Sequence, residues 1–109
     1  GYIDPEDVDP AGGALREFRE ETGYDVRWYA AAGSHVRHPT RNTNRGHLVV
    51  ATGAHKTDVQ HLDAAEDIEV VLMSIDATLD AVRDGRITAV GTVASIFLGY
   101  DTLQRLGRA

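Results

Sequence analysis

The stretch Arg16-Glu17-Phe18-Arg19-Glu20-Glu21-Thr22-Gly23-Tyr24 decides how the rest of this chain is interpreted. If it is helical, Glu17, Glu20 and Glu21 stand at positions i, i+3 and i+4 and project from one face. Like charges at this spacing repel each other by about 0.2 to 0.5 kcal/mol per pair, so the cluster favours a cationic partner. Carboxylates without cysteine neighbours suit a hard divalent ion, namely Mg²⁺, Mn²⁺ or Ca²⁺.

The flanks of this stretch predict the helix. Asp9-Pro10 supplies an N-cap residue followed by proline at the first helical position, and Gly23 is typical of a helix end. An apolar stripe at i, i+3, i+4 and i+7 predicts a buried face that leaves the carboxylates on another; it consists of Ala11, Ala14, Leu15 and Phe18.

The same stretch resembles the second half of the Nudix box, written G-x5-E-x7-R-E-U-x-E-E-x-G-U with U a bulky apolar residue. Every fixed position of R-E-U-x-E-E-x-G-U is filled between Arg16 and Tyr24. The first half departs from the pattern, because Val8 and Tyr2 stand where the family has Glu and Gly. One extra residue restores much of it, since residues 1–5 (Gly-Tyr-Ile-Asp-Pro) are similar to the opening of ADP-ribose pyrophosphatase-like members; Asp7 then takes the first acidic position.

The resemblance implies a Nudix-type nucleoside diphosphate-X pyrophosphohydrolase that uses Mg²⁺, or alternatively Mn²⁺. The implied substrate is a small nucleotide, with ADP-ribose or another nucleotide sugar favoured. Glu17, Glu20 and Glu21 are the expected metal ligands, and Glu20 belongs to the catalytic set. Arg16 is expected to pair with a box glutamate and to hold the helix in shape. Members of this type also form homodimers.

Two acidic residues outside the helix are candidates for a further catalytic role. Members of the family often place such a Glu in a loop, and here Glu66 is the first choice and Glu69 the second. The alternative is that Asp63, Glu66 and Asp67 are a solvated acidic surface loop.

Residues 34–45 form the basic stretch of an acidic protein, and they are predicted to be one long loop. Arg37, Arg41 and Arg45 could bind diphosphate oxygens bidentately. The alternative is a solvated loop that balances the acidic surroundings, and the sequence leaves the two open.

The remaining pattern predicts strands over residues 26–32, 47–54 and 68–73, a helix capped by Asp76, and a second helix from Thr88 into the tail, with Leu103 and Leu106 against the core. This order gives an α+β fold. The resemblance implies an α/β/α sandwich of the Nudix type with a mixed sheet, formed by a single domain over residues 1–109. Since residue 1 falls inside the family motif, we expect the N-terminal strands of the domain to be absent from this chain.

The composition narrows the function classes. The 109 residues carry a formal net charge of −6, which argues against a broad nucleic-acid or membrane surface. The chain has no cysteine, which excludes disulfides and thiol chemistry and fits the cytoplasm. Two alternatives to a hydrolase remain open: a nucleotide-binding module of the same fold that has lost catalysis, and an inactive N-terminally truncated fragment.

Overall fold

The computed structural model describes residues 9–36, 40–41 and 45–109. The predicted N-terminal loop before Asp9, including Asp7, and the side chains of Arg37 and Arg45 lie outside the described residues. Within these ranges the structure has three helices, α1 (Pro10–Thr22), α2 (Ile75–Arg83) and α3 (Val90–Arg105), and four strands, β1 (Tyr24–Asp25), β2 (Trp28–Val36), β3 (Arg45–Thr52) and β4 (His55–Lys56).

Helix α1 begins and ends at the residues that the sequence predicts. The Asp9 side chain accepts a hydrogen bond of 2.6 Å from the Gly12 amide, and Pro10 follows in the first turn. At the other end Gly23 adopts the left-handed conformation with φ of 76°, and its amide donates to the Arg19 carbonyl. Both caps satisfy backbone groups that a helix end otherwise leaves unpaired.

The chain divides into two compact units, which we call the first unit (Gly1–Ala31 with Val49–Val70) and the second unit (Ala32–Leu48 with Val71–Ala109). In the first unit α1 packs against β1, and β1 pairs with β4 in antiparallel register, with Tyr24 opposite Lys56. Its buried apolar residue among those described is Val50.

In the second unit α2 packs against α3. Helix α2 contributes two buried apolar side chains to this unit, Leu79 and Ala81, which are 7% and 2% exposed. Its N-cap is Ser74, whose hydroxyl accepts from the Ala77 amide at 3.0 Å. The predicted cap Asp76 is wrong; that residue lies in the first turn, where its charge still favours the helix N-terminus.

Two predicted boundaries shift because strands β2 and β3, which pair with each other, extend toward the basic stretch. Strand β2 continues through Gly33 to Val36, and β3 starts at Arg45, so the predicted loop over residues 34–45 is shorter than expected.

The predicted start of the last helix also differs from the structure. Helix α3 begins at Val90 and not at Thr88.

The predicted strand over residues 68–73 is wrong. These residues have no strand partner among the described residues and lie in an irregular segment, with Leu72 as much as 76% exposed. Two apolar contacts also fail: Phe18 is 37% exposed on α1, and Leu106 is 51% exposed after α3. An apolar run specifies β propensity, but a strand also needs a neighbour to accept its backbone hydrogen bonds.

Helices and paired strands together confirm the α+β class. The described strands form two two-stranded sheets, β1 with β4 and β2 with β3, in place of the expected mixed sheet. The single domain over residues 1–109 stays a prediction. Within the described ranges, no helix has the length and apolarity needed to cross a membrane.

Candidate active site

The three glutamates of α1 lie in different environments. Glu17 and Glu21 are half-buried, whereas the Glu20 side chain is 48% exposed. All three lie on the C-terminal half of a helix whose two ends are fixed by Asp9 and Gly23. The helix therefore places the three glutamates at i, i+3 and i+4 spacing near its C-terminal end.

Arg16 pairs with a glutamate of this cluster, as predicted. Its Nη1 atom lies 3.3 Å from both carboxylate oxygens of Glu20. Its Nη2 atom lies 3.9 Å from Oε1 of Glu17. A partly exposed pair of this kind contributes about 0.3 to 0.5 kcal/mol on a helix, so its main effect is to orient Glu20.

The surroundings of Glu21 raise the pKa of its carboxyl group. Burial raises its pKa, and the charges of Glu66, Glu17 and Glu20 raise it further. Glu66 comes from the loop after β4, more than 40 residues along the chain. Of the two loop acids named from the sequence, Glu66 is the one whose charge raises the pKa of Glu21. Glu69 is exposed.

The Glu66 carboxylate is held by its own loop. Its Oε1 atom accepts from the Asp63 amide at 2.9 Å, and the Glu66 amide donates to the Asp63 carbonyl at 2.9 Å. This reciprocal pair fixes the side chain and leaves the remaining lone pairs of the carboxylate for other partners.

Backbone hydrogen bonds attach the loop to the end of α1. The His61 amide donates to the Glu20 carbonyl at 2.6 Å. The amides of Thr57 and Asp58 both donate to the Gly23 carbonyl, at 2.9 and 3.1 Å. The helix end and the loop are therefore one hydrogen-bonded assembly within the first unit.

Gly23 is required at this junction for two reasons. Its φ of 76° is strained for any residue with a side chain, and a Cβ atom there would overlap the Asp58 carbonyl oxygen. Sequence reasoning identified Gly23 as a helix end but did not anticipate the approach of Asp58, because that contact is not encoded near residue 23.

The structure also adds a residue that the sequence did not single out. The Gln60 side chain donates to the carbonyls of Glu21 and Ile68. No local motif marks a glutamine in this role, so sequence reasoning had no signal for it.

Of the three arginines predicted to bind substrate, the structure fully describes only Arg41. Arg41 is exposed in a turn of the second unit, while Arg37 and the Arg45 side chain lie outside the described residues. The role of these three arginines in substrate binding stays a prediction.

No metal centre is assembled in the present conformation: within residues 9–36, 40–41 and 45–109, no three acidic or histidine side chains converge as metal ligands. The donor chemistry nevertheless fits a hard divalent cation. The nearby groups are carboxylates, and burial together with the charges of Glu66, Glu17 and Glu20 raises the pKa of Glu21, which favours a cation beside it. Mg²⁺ in particular takes one or two protein carboxylates and completes its shell with water and phosphate oxygens.

Comparison with known proteins identifies the family of this chain. The family model described as the NUDIX domain matches residues 1–90. The chain belongs to the NUDIX family.

We compare this NUDIX chain with two known proteins. It is 32% identical over 89 residues to a methanol dehydrogenase activator from Bacillus methanolicus, an alignment that covers 81% of this chain and 48% of the relative. Its fold is similar to a solved structure described as an ADP compounds hydrolase, with a TM-score of 0.81 and 22% identity over 100% of this chain and 58% of the other. The chain thus spans about half the length of the curated relative that it matches. The family predicted from residues 16–24 is confirmed, and with it the NUDIX fold.

Proposed function

We propose that this NUDIX chain hydrolyses the diphosphate bond of a nucleoside diphosphate linked to another group, with Mg²⁺ or Mn²⁺ as cofactor. ADP-ribose or another nucleotide sugar is the proposed substrate, and water would convert ADP-ribose to AMP and ribose 5-phosphate. The observation that carries the proposal is that the end of α1, with its three glutamates, is hydrogen-bonded to the loop that carries Glu66. The His61 amide donates to the Glu20 carbonyl, and the Gln60 side chain donates to the Glu21 carbonyl.

The residues of the chain have distinct roles in this proposal. Glu17, Glu20 and Glu21 would hold the divalent ion, whose chemistry when bound is to neutralise diphosphate oxygens and to acidify water. Glu66 would polarise the attacking water and accept its proton. Arg16 would keep Glu20 oriented through the 3.3 Å pair. Arg37, Arg41 and Arg45 would bind the phosphate oxygens.

The choice of substrate is supported by two observations. The sequence opens with Gly-Tyr-Ile-Asp-Pro, which is similar to ADP-ribose pyrophosphatase-like members. The solved structure of similar fold is described as an ADP compounds hydrolase. We further propose that the protein is cytoplasmic, in accord with its lack of cysteine, and that it forms the homodimer implied by the family.

A second candidate function is nucleotide binding without hydrolysis. Two observations favour it: Asp7 stands at the first acidic position of the box, where the family has Glu, and the curated relative is described as an activator of another enzyme. Such a protein would keep the fold and the ligand site while turnover is lost.

The deciding experiment incubates the chain with ADP-ribose and Mg²⁺, and follows AMP by chromatography with an EDTA control. Mg²⁺-dependent AMP release supports the hydrolase. Saturable ADP-ribose binding in calorimetry without AMP release supports the binding module. Absence of both, together with a non-cooperative thermal transition, would instead identify an inactive fragment.

A further inference from the structure

Gln60 connects the two parts of the candidate site through a single atom. Its Nε2 lies 2.7 Å from the carbonyl oxygen of Glu21 and 2.9 Å from the carbonyl oxygen of Ile68. Both partners are acceptors, so the two hydrogens of the amide nitrogen are both used. The side chain is half-buried, which limits how far water can replace these bonds.

The two carbonyl acceptors of Gln60 lie in different segments of the candidate site. Glu21 is the penultimate residue of α1, so its carbonyl is one that the helix itself leaves unpaired. Ile68 lies two residues beyond Glu66. Gln60 therefore bridges the end of the helix that carries the carboxylates and the loop segment that carries Glu66.

We infer that Gln60 is a positioning residue that holds Glu66 beside Glu21. The His61 amide bond to Glu20 and the Asp63–Glu66 pair fix the start and the turn of the loop, but they do not attach the segment after Glu66 to the helix. Gln60 supplies that attachment. The consequence for catalysis rests on the proposed function, whereas the attachment itself does not.

The attachment is tested by amide hydrogen exchange in the 109-residue chain. Gln60→Met keeps the length of the side chain and removes both donors. We expect the amides of His61 and Glu66 to exchange about tenfold faster or more in this variant, because the loop opens more often. The matched control is Gln104→Met on α3, where Gln104 donates to the Tyr100 hydroxyl, and it should leave both amides unchanged. Wild-type exchange at His61 and Glu66 in Gln60→Met would overturn the inference.

A second variant distinguishes the loss of the Gln60 hydrogen bonds from a general destabilisation of the protein. Gln60→Lys keeps a donor group that can serve both carbonyls, and we expect it to restore slow exchange at His61 and Glu66. Fast exchange in both Gln60→Met and Gln60→Lys would show that side-chain shape, and not hydrogen bonding, holds the loop, which contradicts the inference.

Mn²⁺ titration separates positioning from stability. The paramagnetic ion should broaden the amide signals of Glu20 and Glu66 together in the wild type. In Gln60→Met the Glu66 signal should be broadened less while that of Glu20 is unchanged, since only the loop has moved away. Equal broadening of both in the variant would overturn the inference. No broadening of either in the wild type would contradict the proposed metal site, while the exchange experiment still decides the role of Gln60.

Discussion

Asp58 places its backbone carbonyl oxygen where a Cβ atom of residue 23 would stand, so that only Gly23 fits beneath it. The two residues are also joined by the Asp58 amide, which donates to the Gly23 carbonyl at 3.1 Å. The glycine of the family motif thus serves two purposes in this chain. It ends α1, and it allows the loop that carries Glu66 to approach the helix.

This relationship predicts a large effect of Gly23→Ala on stability. The left-handed backbone conformation costs roughly 1 to 2 kcal/mol with a side chain, and the overlap with Asp58 adds about 1 to 3 kcal/mol. Gly85→Ala is the matched control, because Gly85 also has positive φ but a Cβ atom there meets nothing within 4 Å. Urea unfolding of both variants should show a clearly larger loss for Gly23→Ala. Equal losses would mean that Asp58 moves aside at no cost.

Phe18→Ala should cost less than a core substitution. At 37% exposure Phe18 gives up only part of the about 1.5 to 3 kcal/mol of a fully buried side chain, so we expect a loss of about 1 to 2 kcal/mol. Leu79→Ala, at a residue that is 7% exposed, should cost about 2 to 5 kcal/mol. The two free energies of unfolding are compared in the same denaturant series. A larger loss for Phe18→Ala would show that this side chain is covered in solution.

Glu21→Gln should stabilise the metal-free protein at neutral pH. The folded-state pKa of Glu21 is raised by burial and by Glu66, Glu17 and Glu20, so its ionisation disfavours the folded state. We expect a gain of about 0.5 to 1 kcal/mol at pH 7 in EDTA, because Glu21→Gln removes a partly buried charge and its repulsion by neighbouring carboxylates.

The gain from Glu21→Gln should disappear as the pH falls below the ordinary glutamate pKa of about 4.3, because Glu21 is then protonated in both the folded and unfolded states. The control is Asp67→Asn, at an exposed acid of the loop that carries Glu66, and it should change stability by no more than about 0.5 kcal/mol. A Glu21→Gln variant that is less stable than the wild type at pH 7 would contradict the charge environment described for α1.

Substitutions at Glu66 and Glu69 should distinguish the two loop acids. Glu66 acts on Glu21 and Glu69 is exposed, so Glu66→Gln should lower kcat for ADP-ribose by about 10²- to 10⁴-fold, the usual contribution of a general base. Glu69→Gln should leave kcat essentially unchanged. Steady-state kinetics at saturating Mg²⁺ measures both. The reverse order of the two effects would move the proposed role to Glu69.

The parts of the fold that the sequence predicted are those with local signals. Asp9, Pro10 and Gly23 lie next to the helix they delimit, and their side-chain and backbone preferences act within a few residues. The strand predicted over residues 68–73 failed because pairing depends on a distant partner that no local pattern specifies. The choice of Asp76 over Ser74 as the cap failed for a different reason: both residue types cap helices, and only the bond from the Ala77 amide decides between them.

The candidate site shows the same division. The common helix face of Glu17, Glu20 and Glu21 follows from helical spacing. The resemblance implied that Arg16 pairs with a box glutamate, and the structure identifies Glu20 as that partner. The catalytic role of Glu66 was inferred from the family resemblance and stays a prediction. Gln60 was missed, because its two carbonyl partners are 39 and 8 residues away and leave no trace in the pattern.

The proposed function depends on the hypothesis that the carboxylates of α1 bind a divalent ion for diphosphate hydrolysis. Its most direct test is Mg²⁺-dependent AMP release from ADP-ribose by the wild type and by Glu20→Gln, with Asp101→Asn on α3 as an exposed carboxylate control. We expect turnover in the wild type and the control, a loss of at least about 100-fold in Glu20→Gln, and no turnover in EDTA. Turnover by Glu20→Gln equal to that of the wild type, or turnover that persists in EDTA, would contradict it.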